Sequence, residues 1–117
     1  TGRKSTVEQN KLQRLWLKEI SEQLGEAPEH WGGYCKLTIG VPILRSENDE
    51  FRAKYDSVVR PLGYEQKLAI MMEPLDLPVT RIMTTRQKTD YLEQIFRHFS
   101  EQGVALTIPE NKIQVAA

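Results

Sequence analysis

At 117 residues, with 16 basic and 16 acidic side chains and a formal net charge of zero, the chain reads as a single domain, 1–117, with room for one modest core. A hydrophobic content of 39% and a charged content of 27% suit an ordinary soluble protein. The longest apolar run, Leu68-Ala69-Ile70-Met71-Met72, is far too short to span a bilayer, so no membrane partner is expected. The lone Cys35 excludes an internal disulfide and fits a reducing, cytoplasmic setting. No signal-peptide pattern is present, and an opening Thr1 in place of Met leads to the expectation of a trimmed N-terminus.

In chain order, the spacing predicts a first helix over 6–24. Ser5 with Glu8, or Thr6 with Gln9, has the spacing of a capping box. Leu12, Leu15, Trp16, Ile20 and Leu24 form its apolar stripe, and Gly25 ends it. Pro28 suits the first position of a short helix carrying Trp31 and Tyr34. Gly32-Gly33 and Gly40 weaken that helix, so 34–43 is expected to be extended or loop. Ser46 is the expected N-cap of a helix through Phe51, Tyr55 and Val59, closed by Pro61. After the turn Pro61-Leu62-Gly63 comes a short helix over 64–72, stopped by Pro74. The proline-interrupted stretch 75–83 is expected to be extended. Thr84-Thr85 then caps a last helix carrying Tyr91, Leu92, Ile95, Phe96 and Phe99 and ending at Gly103. Val104 to Ile108 is β-like, and the tail over 109–117 is expected to be flexible. The fold class expected is mainly α with a minor β or extended component: a compact helical domain.

Catalytic and metal patterns are scarce. His30 and His98 lie far apart, without His or Cys neighbours at ligand spacing, and both read as surface residues. Cys35 is a nucleophile only with a base supplied by folding; a buried structural Cys is the plainer reading. No phosphate-cradling glycine loop or dinucleotide fingerprint occurs. Glu47, Asp49 and Glu50 are more simply helix-start charges than a cation site. No enzyme, cofactor or metal is expected.

The charges are unevenly placed. Residues 1–18 carry Arg3, Lys4, Lys11, Arg14 and Lys18 against Glu8 alone, and residues 81–88 carry Arg81, Arg86 and Lys88 with no acid. Two polar residues also break the binary pattern. At about 100° per residue, Gln9 extends the apolar stripe of the first helix, and Lys88 extends that of the last. Protruding helix starts and a snorkelling lysine are the bland explanation. The sharper one is a cleft shared by both helix starts and lined by Gln9, Asn10 and Lys88, with Arg81 from the preceding segment. Amides there would meet base edges, and cations would meet phosphates. Trp16 sits mid-stripe and belongs in the core, whereas Trp31, beside two glycines, is the more open stacking candidate.

The opening Thr6-Val7-Glu8-Gln9-Asn10-Lys11 resembles the Orf (NinB) family of lambdoid phage recombination mediators, with its prophage-encoded members closest in detail. Pro28-Glu29-His30-Trp31, the Thr80-Arg81 pair and Glu101-Gln102-Gly103-Val104 occur in similar order. The first-helix Trp lies further from Gln9-Asn10 than in the phage lambda member. The resemblance implies a non-enzymatic homodimer around a central channel. It would prefer single-stranded DNA to duplex, act beside the host single-stranded DNA-binding protein to help load a recombinase, and in some members flip bases. By analogy Gln9, Asn10 and Lys11 line or flank the channel, with Arg81 nearby. The residues expected on DNA are therefore Lys4, Gln9, Asn10, Lys11, Arg14, Trp31, Arg81 and Lys88. The alternative is a helical protein-interaction module that does not bind DNA.

Overall fold

The computed structural model describes residues 2–108, with side chains from residue 7 onward. The first helix, α1 (Gly2–Leu24), begins earlier than its sequence suggests. Ser5 and Thr6 therefore lie inside it rather than at its cap. Gly25 ends it in the left-handed conformation, φ 90°, which glycine adopts without the Cβ penalty. Pro28 opens α2 (Pro28–Cys35), as its fixed φ favours.

The chain does not unwind after the glycines. A π-turn (Lys36–Gly40) leads directly into α3 (Val41–Glu47), with Pro42 in its first turn. The expected extended 34–43 segment is thus helical. Its glycines are there for close approach rather than for flexibility. A Cβ on Gly33 would lie 2.6 Å from Met72 Cγ, and one on Gly40 would lie 2.8 Å from Val79 Cγ1 and 3.3 Å from Tyr91 Cε1. Asn48, not Ser46, caps α4 (Asp49–Val58), accepting from the Phe51 amide at 2.9 Å. Ser46 falls inside α3, its hydroxyl donating to the Ile43 carbonyl at 3.0 Å. The turn at 61–63 and α5 (Tyr64–Met71) are as expected. The stretch 72–84 is irregular, apart from a 3₁₀ turn (Thr80–Ile82), and α6 (Thr85–Ser100) follows.

Two clusters make the core. The larger joins Leu12, Trp16 and Ile20 of α1, Cys35, Ile39 and Ile43 of the 28–47 run, and Tyr91, Leu92, Ile95 and Phe99 of α6. The smaller joins Val41, Leu44, Tyr55, Val59, Met71 and Val79. Trp16 is fully buried, with its ring centroid 5.6 Å from that of Phe96. Leu15 and Leu24, placed in the α1 stripe by spacing, are exposed.

No strand forms among the described residues, so the minor β component is not present there. Residues 104–108 have strand-like composition but no strand to pair with. Side chains of α1 serve the backbone instead: the Trp16 indole donates to the Thr107 carbonyl at 2.8 Å. Gln23 both donates to the Ala105 carbonyl and accepts from its amide, at 2.7 and 2.8 Å, while Glu19 accepts from the Thr107 amide at 2.9 Å. The 109–117 tail and the Lys4 side chain lie outside the described residues. Among the described residues, no helix is long and apolar enough to cross a membrane.

Because Gly40 faces the stiff, buried Val79, Gly40→Ala is expected to lower unfolding free energy by roughly 1–3 kcal/mol in urea titration. An unchanged midpoint would show that the 36–40 turn can shift away from Val79.

Candidate nucleic-acid interface

The start of α6 is set by a capping box. The Thr84 hydroxyl accepts from the Gln87 amide at 3.1 Å, and the Gln87 side chain accepts from the Thr84 amide at 2.9 Å. The Gln87 side-chain amide is fixed in turn by Glu47 at 2.9 Å, and Arg86 reaches the same carboxylate at 2.7 Å. Hydrogen bonds from Gln87 and then Arg86 hold the Glu47 carboxyl below the usual carboxylate range. This anchors the first turn of α6 to the end of α3 and consumes the charge of Arg86.

One residue further on, Lys88 is 6% exposed. Its ammonium donates to Asn10 Oδ1 of α1, and it forms no ion pair with a carboxylate among the described residues. Burial pushes its pKa below the usual lysine range. Beside it, Gln9 Nε2 donates to the Thr89 hydroxyl at 2.8 Å, while Gln9 Oε1 is buried without a hydrogen-bond partner. Two rungs, Gln9–Thr89 and Asn10–Lys88, therefore tie α1, about two turns in from its Gly2 start, to the start of α6. The expected meeting of two helix starts holds for α6 alone. Both polar residues that broke the helical patterns sit in this joint.

Next to the joint opens a cleft of about 430 Å³, with Asn10, Arg14, Arg81, Thr84, Thr85 and Lys88 among its lining and Met83 at its apolar part. Its three cations come from three segments, and no carboxylate lines it among the described residues. Elsewhere Arg45 and Arg60 pair with Asp56, Arg52 with Asp49, and Arg86 with Glu47 and Asp90, while Arg97 of α6 forms no ion pair among the described residues. Arg14 and Arg81 form no ion pair among the described residues. Arg81 is braced through the backbone, donating to the Asp76 carbonyl at 3.1 Å. Asp76 adopts a left-handed φ of 47° and is gripped by the buried Lys36 at 2.5 Å. That bond holds the Asp76 carboxyl below its ordinary range.

Of the residues expected on DNA, the structure brings Asn10, Arg14, Arg81 and Lys88 together around this cleft. Gln9, expected in the lining, is instead taken up by its bond to Thr89 in the joint and does not line it. Lys11 is exposed on α1 but does not line it. Trp31 is elsewhere. Its indole donates to the Gly25 carbonyl at 2.6 Å and packs edge-on against Phe99, 5.8 Å between centroids. Phe99 lies roughly 16 Å along α6 from Lys88 at the usual rise, so Trp31 is a packing residue far from the cleft rather than a stacking plate within it. Thr80, Thr84 and Thr85 are lining residues that the site reading missed. Thr84 carried a signal as the predicted cap, since a capping residue necessarily sits at the mouth of whatever its helix start faces.

The other chemical candidates are engaged in packing or hydrogen bonds. Cys35 is fully buried, and burial pushes its thiol up to about 12. His98 is bonded to the Tyr34 hydroxyl at 2.9 Å, and the His30 ring packs edge-on against Trp31. Among the described residues, no group of three or more His, Cys, Asp or Glu side chains is placed to hold a metal ion.

Comparison with known proteins finds no matching family model, no matching curated protein and no matching solved structure.

Because Lys88 binds its proton less tightly when folded than when unfolded, its charge opposes folding at neutral pH. That cost shrinks as pH rises from the lowered pKa towards the ordinary lysine value. Lys88→Met is therefore expected to keep or raise the melting temperature, by a few degrees for about 1 kcal/mol in a domain of this size. A fall of more than about 5 °C in calorimetry would mean that the ammonium holds the fold together.

Proposed function

We propose that the chain is a single-stranded DNA-binding accessory protein of recombination, acting as a homodimer beside the host single-stranded DNA-binding protein. The observation that supports DNA binding is the convergence of Arg14, Arg81 and Lys88 on one cleft without a lining carboxylate. Three cations without an ion-pair partner among the described residues, in a molecule of zero net charge, are a local positive potential suited to phosphates, which the nearby Asp76 carboxylate offsets in part at Arg81. Asn10 and Gln13, also in the lining, supply amides for a base edge or the sugar-phosphate backbone. The recombination setting, the dimer and the host partner rest on the motif resemblance carried by residues 6–11, 28–31, 80–81 and 101–104.

The cleft volume of about 430 Å³ falls within the ~300–1,000 Å³ typical of small-ligand sites. Under this reading an extruded nucleotide, if the protein flips bases, enters here. Its contacts would be polar apart from Met83, since no aromatic side chain lines the cleft among the described residues.

The test is oligonucleotide binding measured across salt concentrations. Three phosphate contacts on a single strand predict a log–log slope of about −2, falling to about −0.7 in Arg14→Ala with Arg81→Ala. A slope near zero, or a double variant that binds as the parent does, would sink the phosphate assignment and favour a protein-interaction module.

A further inference from the structure

The single-strand reading leaves open which part of a strand the cleft receives, and the geometry bears on that. A strand threaded through a protein usually runs along a groove open at both ends, with cations along its backbone and aromatic rings under its bases. This cleft lacks the rings among the described residues. The Gln9–Thr89 and Asn10–Lys88 rungs join α1 to α6 along one edge, and no ring lines the space. Its cations are gathered around one small volume instead.

Charge points the same way. Lys88, 6% exposed, spends one hydrogen bond on a neutral amide oxygen, although an ammonium carries three donors. Arg14 and Arg81 stand at the same cleft without an ion-pair partner among the described residues, although the Asp76 carboxylate lies near enough to Arg81 to feel its charge. Arg45, Arg52, Arg60 and Arg86 are paired, and Arg97, the other described arginine without a pair, lies outside the cleft. An internal phosphodiester brings a single negative charge. A terminal phosphomonoester brings a charge of about −1.5 to −2 and three strong acceptor oxygens at neutral pH. Three cations around one pocket match the monoester better.

Resting on the single-strand reading above, we infer that the cleft takes the terminal phosphomonoester of a DNA strand rather than an internal phosphodiester. In this arrangement Lys88 meets the phosphate from below, and Arg14 and Arg81 meet it from α1 and from the 3₁₀ turn. The Thr84 and Thr85 hydroxyls and the positive start of the 16-residue α6 add donors beside it. Asn10 positions Lys88 through its carbonyl oxygen and keeps its amide N–H groups for the sugar or the first base.

The experiment measures fluorescence anisotropy with one internally labelled oligonucleotide carrying a 5′-phosphate, a 3′-phosphate or hydroxyls at both ends. At least one phosphorylated form is expected to bind about tenfold tighter than the hydroxyl form, as charge-assisted hydrogen bonds to the extra charge allow. Which form does so identifies the strand end. Inorganic phosphate should erode that difference. Lys88→Met should abolish it, and the surface variant Arg81→Ala should narrow it even if Lys88→Met folds poorly. Equal affinities for all three forms would overturn end recognition and leave the single-strand reading standing. Failure of every form to bind would overturn that reading, and this inference with it.

Discussion

An ammonium group held between two helices with no carboxylate beside it is the feature on which the rest of this structure turns. Lys88 reaches Asn10 across the joint between α1 and α6, and burial lowers its affinity for its proton. Replacing such a buried cation by an apolar side chain of similar volume is often neutral or stabilising. Trp16, Ile20, Leu92 and Ile95 already pack the two helices over the adjoining turns, and Gln9 with Thr89 supplies a second polar rung. Under the proposed function, a charge kept at a cost at the edge of an open cleft is there for what enters the cleft.

Much of the molecule serves to hold that edge in place. Thr84 and Gln87 fix where α6 begins, and Glu47 fixes Gln87. Lys36 reaches from the π-turn to grip Asp76, whose carbonyl steadies Arg81. The π-turn can lie close enough to do so because Gly40 permits near contact with Val79 and Tyr91. π-turns often mark functional places in helices, and here the consequence is concrete: the turn carries the lysine that braces the cleft's exposed arginine. The paired arginines, by contrast, tie α3 to α4 and α6 and offer little charge to a ligand.

What was legible in the sequence follows from how local each signal is. The Gly25 stop, Pro28 start, Thr84 cap and apolar arc of α6 depend on neighbours within a turn or two, and all appear where expected. The 34–43 segment did not, because Gly33 and Gly40 were read as helix breakers. Their real constraint is contact with Met72 and Val79, distant in sequence. Residues 104–108 misled for a related reason: strand-like composition does not reveal that α1 side chains, rather than a strand, will satisfy the backbone. At the cleft, Gln9 and Lys88 were conspicuous because each placed a polar group on an apolar arc. Trp31 was not separable from a stacking residue, since only folding shows its indole bonded to Gly25 and its ring against Phe99.

A second groove, lined by Arg45, Tyr55, Arg60, Tyr64 and Lys67 among others, also combines cations with aromatic rings. It therefore offers the direct contrast for the central claim that nucleic acid is met where residues 10–14 of α1 face the start of α6. The decisive measurement is backbone amide NMR of the labelled protein titrated with a short single-stranded oligonucleotide. The account predicts shift changes centred on residues 9–14 and 80–89, with residues 37–67 largely unmoved. Changes centred on residues 37–67, or a spectrum unaltered at saturating oligonucleotide, would contradict it.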